Sequence, residues 1–146
     1  MELMLRKAGA EDQEALDTVM QVISDGKVKD GKKAAELIEK VRRDPQKYLL
    51  AAIDRETGTL CGTLLGVVFE DICGDCRPIL LIENVAVLPE YQGKGVGRAM
   101  VSEIERWGRE MDCHYEMLVS GNQRKGAHKF YQALGFEEVK GFKKYL

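Results

Sequence analysis

Residues 79–111, ILLIENVAVLPEYQGKGVGRAMVSEIERWGREM, restrict the fold more than any other stretch. Residues 79–88 are the most hydrophobic strand candidate, an almost unbroken apolar run of the kind found inside a sheet with both faces covered. Pro89 stops it, because proline has no N–H to give to a ladder. Gly93, Gly95 and Gly97 then fill three of five positions, and a helical pattern runs on to about Met111. Val96, Met100, Ile104, Trp107 and Met111 make one apolar stripe on that helix. Glu105–Arg109 and Arg106–Glu110 are spaced to pair on its outer side. An apolar strand needs strand neighbours, and a striped helix needs a surface to cover. A sheet built around this strand–turn–helix unit satisfies both.

The remaining segments supply that sheet. ELMLRKA (2–8) alternates as a strand does. EDQEALDTVMQVI (11–23) puts Ala15, Leu16, Val19, Met20 and Ile23 on one helical face, with acids in the first turn, where the helix dipole favours them. After the polar loop SDGKVKDGKK, a second helix carries Ala34, Leu37, Ile38 and Val41 on one face and ends at Asp44-Pro45. KYLLAAI (47–53), bounded by the turn DRETG, and TLCGTLLGVVFE (59–70), apolar almost throughout, read as strands. HYEMLVS (114–120) reads as another strand. RKGAHKFYQALGF makes a short helix, with Gly135 as its left-handed cap and Phe136 folding back on it. The tail EEVKGFKKYL reads as a last strand. The order is β-α-α-β-β-β-α-β-α-β over residues 1–146 as a single domain. Successive strands in the middle exclude strict βαβ alternation, so the expectation is an α/β (α+β) fold with a mixed, mostly antiparallel sheet flanked by about four helices.

Composition removes several function classes. Hydrophobic residues make up 45% and charged residues 32%, an ordinary globular balance. A net charge of −2 gives no basic field, so nucleic acid is not the expected partner. MELMLRKAG turns charged within six residues and lacks a signal-peptide apolar region. No apolar run approaches the ~20 residues of a membrane span. A cytoplasmic protein without membrane attachment is expected. Of Cys61, Cys73, Cys76 and Cys113, only the CGDC pair has C-x-x-C spacing, and it sits in a connecting loop with no second pair and no clustered histidine. Free thiols and no metal are the expectation.

The glycines stand where a strand passes into a helix N-terminus. That end presents unpaired N–H groups and a partial positive charge, which suit phosphate oxygens. Glycine lets a ligand reach the amides, and Lys94 and Arg98 add positive charge. A phosphate or pyrophosphate cradle and a plain tight glycine turn both fit these facts. GKGVG is not the G-x-G-x-x-G dinucleotide pattern, and the P-loop look-alike GKVKDGKK (26–33) has Lys33 in place of the required Ser/Thr and no strand before it. The spacing that fits is Q-x-x-G-x-G, met by Gln92, Gly95 and Gly97.

IENVAVLPEYQGKGVGRAMVSEIERWG closely resembles the acetyl-CoA motif of the GNAT superfamily of N-acetyltransferases, and AHKFYQALGF resembles the helix downstream of it. The element order agrees over nearly the whole chain. A weaker likeness links AHKFYQALGF followed by FKKYL to the aminoalkylphosphonate N-acetyltransferases. The resemblance implies acetyl-CoA as co-substrate, its pyrophosphate on the amides of Gln92, Gly93, Lys94, Gly95, Val96, Gly97 and Arg98. It implies that the pantetheine arm lies along the Val85, Ala86 and Val87 backbone as an added strand. Where many members carry an asparagine ahead of the downstream helix, this chain has Arg124, with Asn122 two residues earlier, so Arg124 is a cofactor contact by position only.

Acetyl transfer to an amine needs a base for the ammonium, a donor for the oxyanion and an acid for the leaving thiolate. Tyr131 matches the family tyrosine beside the acetyl-CoA sulfur, the implied acid. As a residue alone, it is equally an aromatic on a helical stripe with Phe130 and Leu134. Glu83 interrupts a very apolar strand, so its carboxylate must reach water, a partner or a site. By resemblance it is the water-mediated base, and a backbone N–H near Val87 or Leu88 is the oxyanion donor. His128, a lone helical histidine, stays outside the catalytic set. Lys27, Lys29, Lys32 and Lys33 make the loop between the first two helices locally basic, suited to an anionic acceptor or simply solvated. The leading reading is an acetyl-CoA-dependent N-acetyltransferase acting on a primary amine of a small molecule. The alternatives are a protein or peptide acetyltransferase and a non-catalytic acyl-CoA-binding sensor. A homodimer through the final strand fits either class.

Overall fold

The computed structural model describes residues 1–120 and 125–146, and the backbone alone of Lys125. The strands are β1 (Leu3–Lys7), β2 (Lys47–Asp54), β3 (Leu60–Phe69), β4 (Ile79–Val87) and β5 (Tyr115–Met117). The helices are α1 (Gln13–Met20), α2 (Gly31–Arg43), α3 (Val96–Glu110) and α4 (Lys125–Ala133). The sheet order is β1-β2-β3-β4-β5. The first three pairings are antiparallel and β4–β5 is parallel, because α3 crosses over between them. This is the mixed, mostly antiparallel sheet with four helices that the pattern implied.

Alternation along β2 divides the core. Leu50 and Ala52 face one side, packing with Cys61, Leu64, Leu80 and Ile82 against Val96, Met100, Ile104 and Trp107 of α3. Ala51 and Ile53 face the other, with Leu16 and Val19 of α1. Glycine permits the close approach of α3: a Cβ on Gly66 would lie 2.5 Å from Ile104 Cδ1. The stripe expected on α3 is the buried one, with Met111 half-buried beside it. On α1 Ala15 is exposed, and on α2 Leu37 is 56% exposed, so both helices cover the sheet with narrower faces than the pattern suggested. Asp30 caps α2, accepting the Lys33 N–H at 3.0 Å.

Two expectations change. β5 ends at Met117 rather than near 120, since its partner strand stops pairing with it at Leu81. Residues 137–146 form no strand. Val139, Phe142 and Tyr145 recur every three residues, a spacing no pleat can turn to one face, and they stay 78%, 91% and 84% exposed. On α3, Arg106 pairs with Glu110 as expected, at 2.6 Å, and also with Glu103. Glu105, however, faces the carboxyl of Glu116 on β5, which its charge helps to keep protonated.

Candidate active site

The site forms where β4 and β5 part. Their pairing covers only Ile79–Tyr115, Leu80–Glu116 and Leu81–Met117. Just beyond it β4 carries a bulge. Thr63 pairs with Ala86 and Leu65 with Glu83, so Asn84 and Val85 together oppose Leu64. Asn84 adopts the left-handed conformation, φ 57°, one that asparagine tolerates better than most side chains. Bulges bend the strand that holds them, and the opening between the two strands begins here. Its one local signal is an asparagine inside an apolar run.

A cavity of about 160 Å³ fills the opening. β4 contributes Ile82, Glu83, Asn84 and Val85, and the segment after β5 contributes Leu118, Val119 and Ser120. Tyr131 enters from α4 and Ile23 from the segment after α1. Val85 and Leu118 pack with the cluster beneath α3, whereas Ile23 packs with the cluster beneath α1. The cavity therefore connects the two faces of the sheet. Glu83 is exposed on its rim, next to Ile82, whose side chain belongs to the α3 face. Alternation turns Glu83 toward the α1 face.

Tyr131 is held from both sides. Its ring meets Phe130 edge-on at 5.2 Å and Phe136 at 5.6 Å. The helix end fixes Phe136. Gly135, at φ 93°, donates its N–H to the Gln132 carbonyl, and the Phe136 N–H goes to the Tyr131 carbonyl at 3.1 Å. This is the glycine cap expected from the sequence. Glu83 and Tyr131, 48 positions apart in the chain, thus line one cavity.

The glycine segment follows β4 through a single helical turn, Pro89–Tyr91. Gly93 and Gly95 have φ 77° and 87°, and nothing lies within 4 Å of where their Cβ atoms would be. Gly95 caps α3, whose first internal bond runs from the Ala99 N–H to the Gly95 carbonyl at 3.0 Å. The amides of Val96, Gly97 and Arg98 precede that bond and belong to the donor-rich end of a 15-residue helix. Lys94 and Arg98 are exposed beside it.

Three expected roles shift. A Cβ on Gly97 would stand 2.9 Å from Phe130 Cζ, so this glycine makes room for an aromatic ring of α4. The Gln92 N–H is used by the Pro89 carbonyl at 3.2 Å, and its side-chain Nε2 donates to the Val87 carbonyl at 3.0 Å, so Gln92 shapes the loop. The Leu88 N–H donates to the Cys61 carbonyl at 2.9 Å, which withdraws it as an oxyanion donor.

Sequence reasoning missed the anchor of this loop. The Tyr91 hydroxyl donates to Asp54 Oδ2 at 2.8 Å. Asp54, buried at the end of β2, also accepts the Glu56 N–H and the Thr57 hydroxyl. The Tyr91 hydrogen bond, ahead of the other two, holds its carboxyl below the usual carboxylate range. Lys94 Nζ lies 5.7 Å over the Tyr91 ring. The pairing of Asp54 with Tyr91 spans 37 positions and leaves no local pattern.

Arg124 lies outside the described residues. Lys27, Lys29, Lys32, Lys33 and His128 are not among the residues lining the cavity. Lys32 instead borders a groove between α2 and the turn at Ala10, with Glu36, Glu39, Lys40 and Arg43. Among the described residues no cluster of three metal-binding side chains occurs, the four cysteines are free, and no helix is long and apolar enough to cross a membrane.

Known proteins share this fold. Aminoglycoside N(6')-acetyltransferase type 1 from Salmonella typhimurium is 31% identical over 65 residues, covering 44% of this chain and 45% of that protein. The chain thus aligns with less than half the length of that relative. A protein from Agrobacterium tumefaciens has the same fold at TM-score 0.86 and 27% identity, covering 98% of this chain and 99% of its own. An aminoglycoside acetyltransferase solved with the bisubstrate analogue CoA-S-monomethyl-acetylneamine superimposes at TM-score 0.81 and 19% identity, covering 100% and 98%. Residues 16–136, from the middle of α1 through the cap of α4, match the acetyltransferase (GNAT) family, and the chain belongs to it.

Proposed function

We propose that this protein is an acetyl-CoA-dependent N-acetyltransferase acting on a primary amine of a small molecule. The observation that carries the reading is that Glu83 and Tyr131 line one cavity at the parted edge of β4, on the strand that leads into the glycine cradle. The residues suit acetyl-CoA. Gly93 and Gly95 leave backbone amides open for a pyrophosphate, and β4 beyond Leu81 has no β5 partner, so it can pair with an amide-bearing arm. Acetyl-CoA supplies an acyl group activated as a thioester. Glu83, turned toward the α1 face, takes the proton of the acceptor ammonium through water. Tyr131, braced by Phe130 and Phe136, gives a proton to the departing thiolate. A cavity of about 160 Å³ fits a slender amine better than a polypeptide, and the resemblance to aminoglycoside acetyltransferases makes amino sugars the first acceptors to try.

The test is thiol release from acetyl-CoA across aminoglycosides, amino sugars, aminoalkylphosphonates, polyamines and lysine peptides, with product masses confirmed. One small amine should respond strongly, and Tyr131→Phe should lower its kcat by about tenfold or more while acetyl-CoA affinity holds. Tight acetyl-CoA binding with no acceptor modified favours the sensor. Acetylation of peptides alone moves the acceptor to protein, and unchanged turnover in Tyr131→Phe removes that residue from the chemistry.

A further inference from the structure

Ser120 lines the cavity from the side opposite β4, three residues beyond the end of β5. Its hydroxyl oxygen is enclosed and has no hydrogen-bond partner among the described residues. Other buried hydroxyls in the fold are matched: Thr63 donates to the Leu50 carbonyl at 2.7 Å, and Tyr48 to Glu103 at 2.9 Å. Leaving a polar group enclosed and unpaired costs free energy, and a native chain keeps such a group where something else completes it. The side chain also points to which ligand that is. Leu118, two residues before it, packs with the cluster beneath α3, as does Phe136 just after α4, and Tyr131 of α4 lines the same cavity as Ser120. Glu83 projects to the other face.

We infer that Ser120 is a binding residue for acetyl-CoA, its hydroxyl hydrogen-bonding an amide of the pantetheine arm next to the thioester. The group is a donor and an acceptor at once, as a secondary amide requires. Bound acetyl-CoA supplies the partner that the free protein lacks. The inference rests on the N-acetyltransferase reading and adds a side chain facing the pantetheine arm, which β4 meets only with its backbone.

The test is the equilibrium binding of acetyl-CoA alone, without acceptor, to wild type, Ser120→Ala and Ser120→Thr, together with the melting temperature of each free protein. Ser120→Ala should weaken acetyl-CoA about tenfold, the typical effect of one matched hydrogen bond in an enclosed site. Ser120→Thr, which keeps the hydroxyl, should stay within about threefold. Free Ser120→Ala should melt no lower than wild type, since it loses an unpaired group. Wild-type affinity in Ser120→Ala overturns the inference, as does a rise confined to acceptor KM or a lower melting temperature of the free variant. Failure of the wild type to bind acetyl-CoA overturns the inference and the acetyltransferase reading together, whereas normal wild-type binding with no effect of the alanine overturns the inference alone.

Discussion

Gly97→Ala separates two reasons for the third glycine of the cradle. A ligand-clearing glycine would lose acetyl-CoA affinity on gaining a methyl group. The structure gives the other reason, because that methyl meets the Phe130 ring at 2.9, 3.4 and 3.7 Å. Carbon atoms settle at about 3.5–4.0 Å, so the ring must retreat by roughly 0.6 Å or more. Alanine in a helix is worth about 1 kcal/mol over glycine, and overpacking costs about 1–3 kcal/mol, so the net loss of stability should be about 0–2 kcal/mol. The larger effect is on chemistry. Phe130 is bonded to Tyr131 along the chain and touches its ring, so moving one moves the other. If Tyr131 is the acid proposed above, its misplacement by up to 1 Å costs up to about a hundredfold in rate. The assay is steady-state kinetics with acetyl-CoA binding measured separately, for Gly97→Ala, Phe130→Leu and the double variant. kcat should fall by about 10–100-fold in Gly97→Ala with acetyl-CoA affinity nearly kept, and Phe130→Leu should restore much of it in the double variant by giving the methyl group room. Loss of acetyl-CoA affinity that Phe130→Leu does not repair would refute the packing argument and return Gly97 to the ligand.

Further outcomes follow from single contacts. Tyr91→Phe, which removes the anchor at Asp54, should raise acetyl-CoA KM about threefold to tenfold while leaving kcat within twofold, read from paired saturation curves. Burial, and then the Glu105 hydrogen bond and charge, push Glu116 up to about 8, so the folded protein holds a proton there that the unfolded chain releases near 4.5. The stabilisation it gives is complete below pH 4.5 and is lost as pH rises through 8. Glu116→Gln should therefore match wild type in melting temperature near pH 4.5 and exceed it by about 3 °C near pH 9, after allowance for solvent screening at a half-buried site. Cys73 and Cys76 are exposed, while burial raises the thiols of Cys61 and Cys113, so a thiol reagent at neutral pH should label the first two ahead of the others, as mass mapping would show.

What could be read without coordinates was whatever is written in neighbouring residues. The apolar strand, the glycine turn and the stripe on α3 are contiguous, and each has its own period, so that unit was legible almost residue by residue. Glu83 stood out as a charge inside an apolar run, and Tyr131 only by its match to the family motif. Legibility failed where a residue's meaning depends on a distant partner. Gly97 looks like its two neighbours until Phe130 is set against it, and Asp54 looks like a turn residue until Tyr91 arrives. Ser120 looks like any loop serine until the fold encloses it. The tail alternates loosely enough to pass for a strand, but its apolar residues recur at the wrong interval.

The bulge of β4 makes fold and cavity separable by a single codon. Excision of Asn84 would leave Val85 opposite Leu64, with Glu83 still against Leu65 and Ala86 against Thr63, so the ladder with β3 would simply become regular. Nothing in either core cluster depends on the Asn84 side chain. A chain so shortened keeps its reasons to fold and loses the bend that parts β4 from β5. Among sequences of this architecture, one-residue length changes at this position therefore weigh more than many substitutions, since they decide whether a sheet has an opening through it at all.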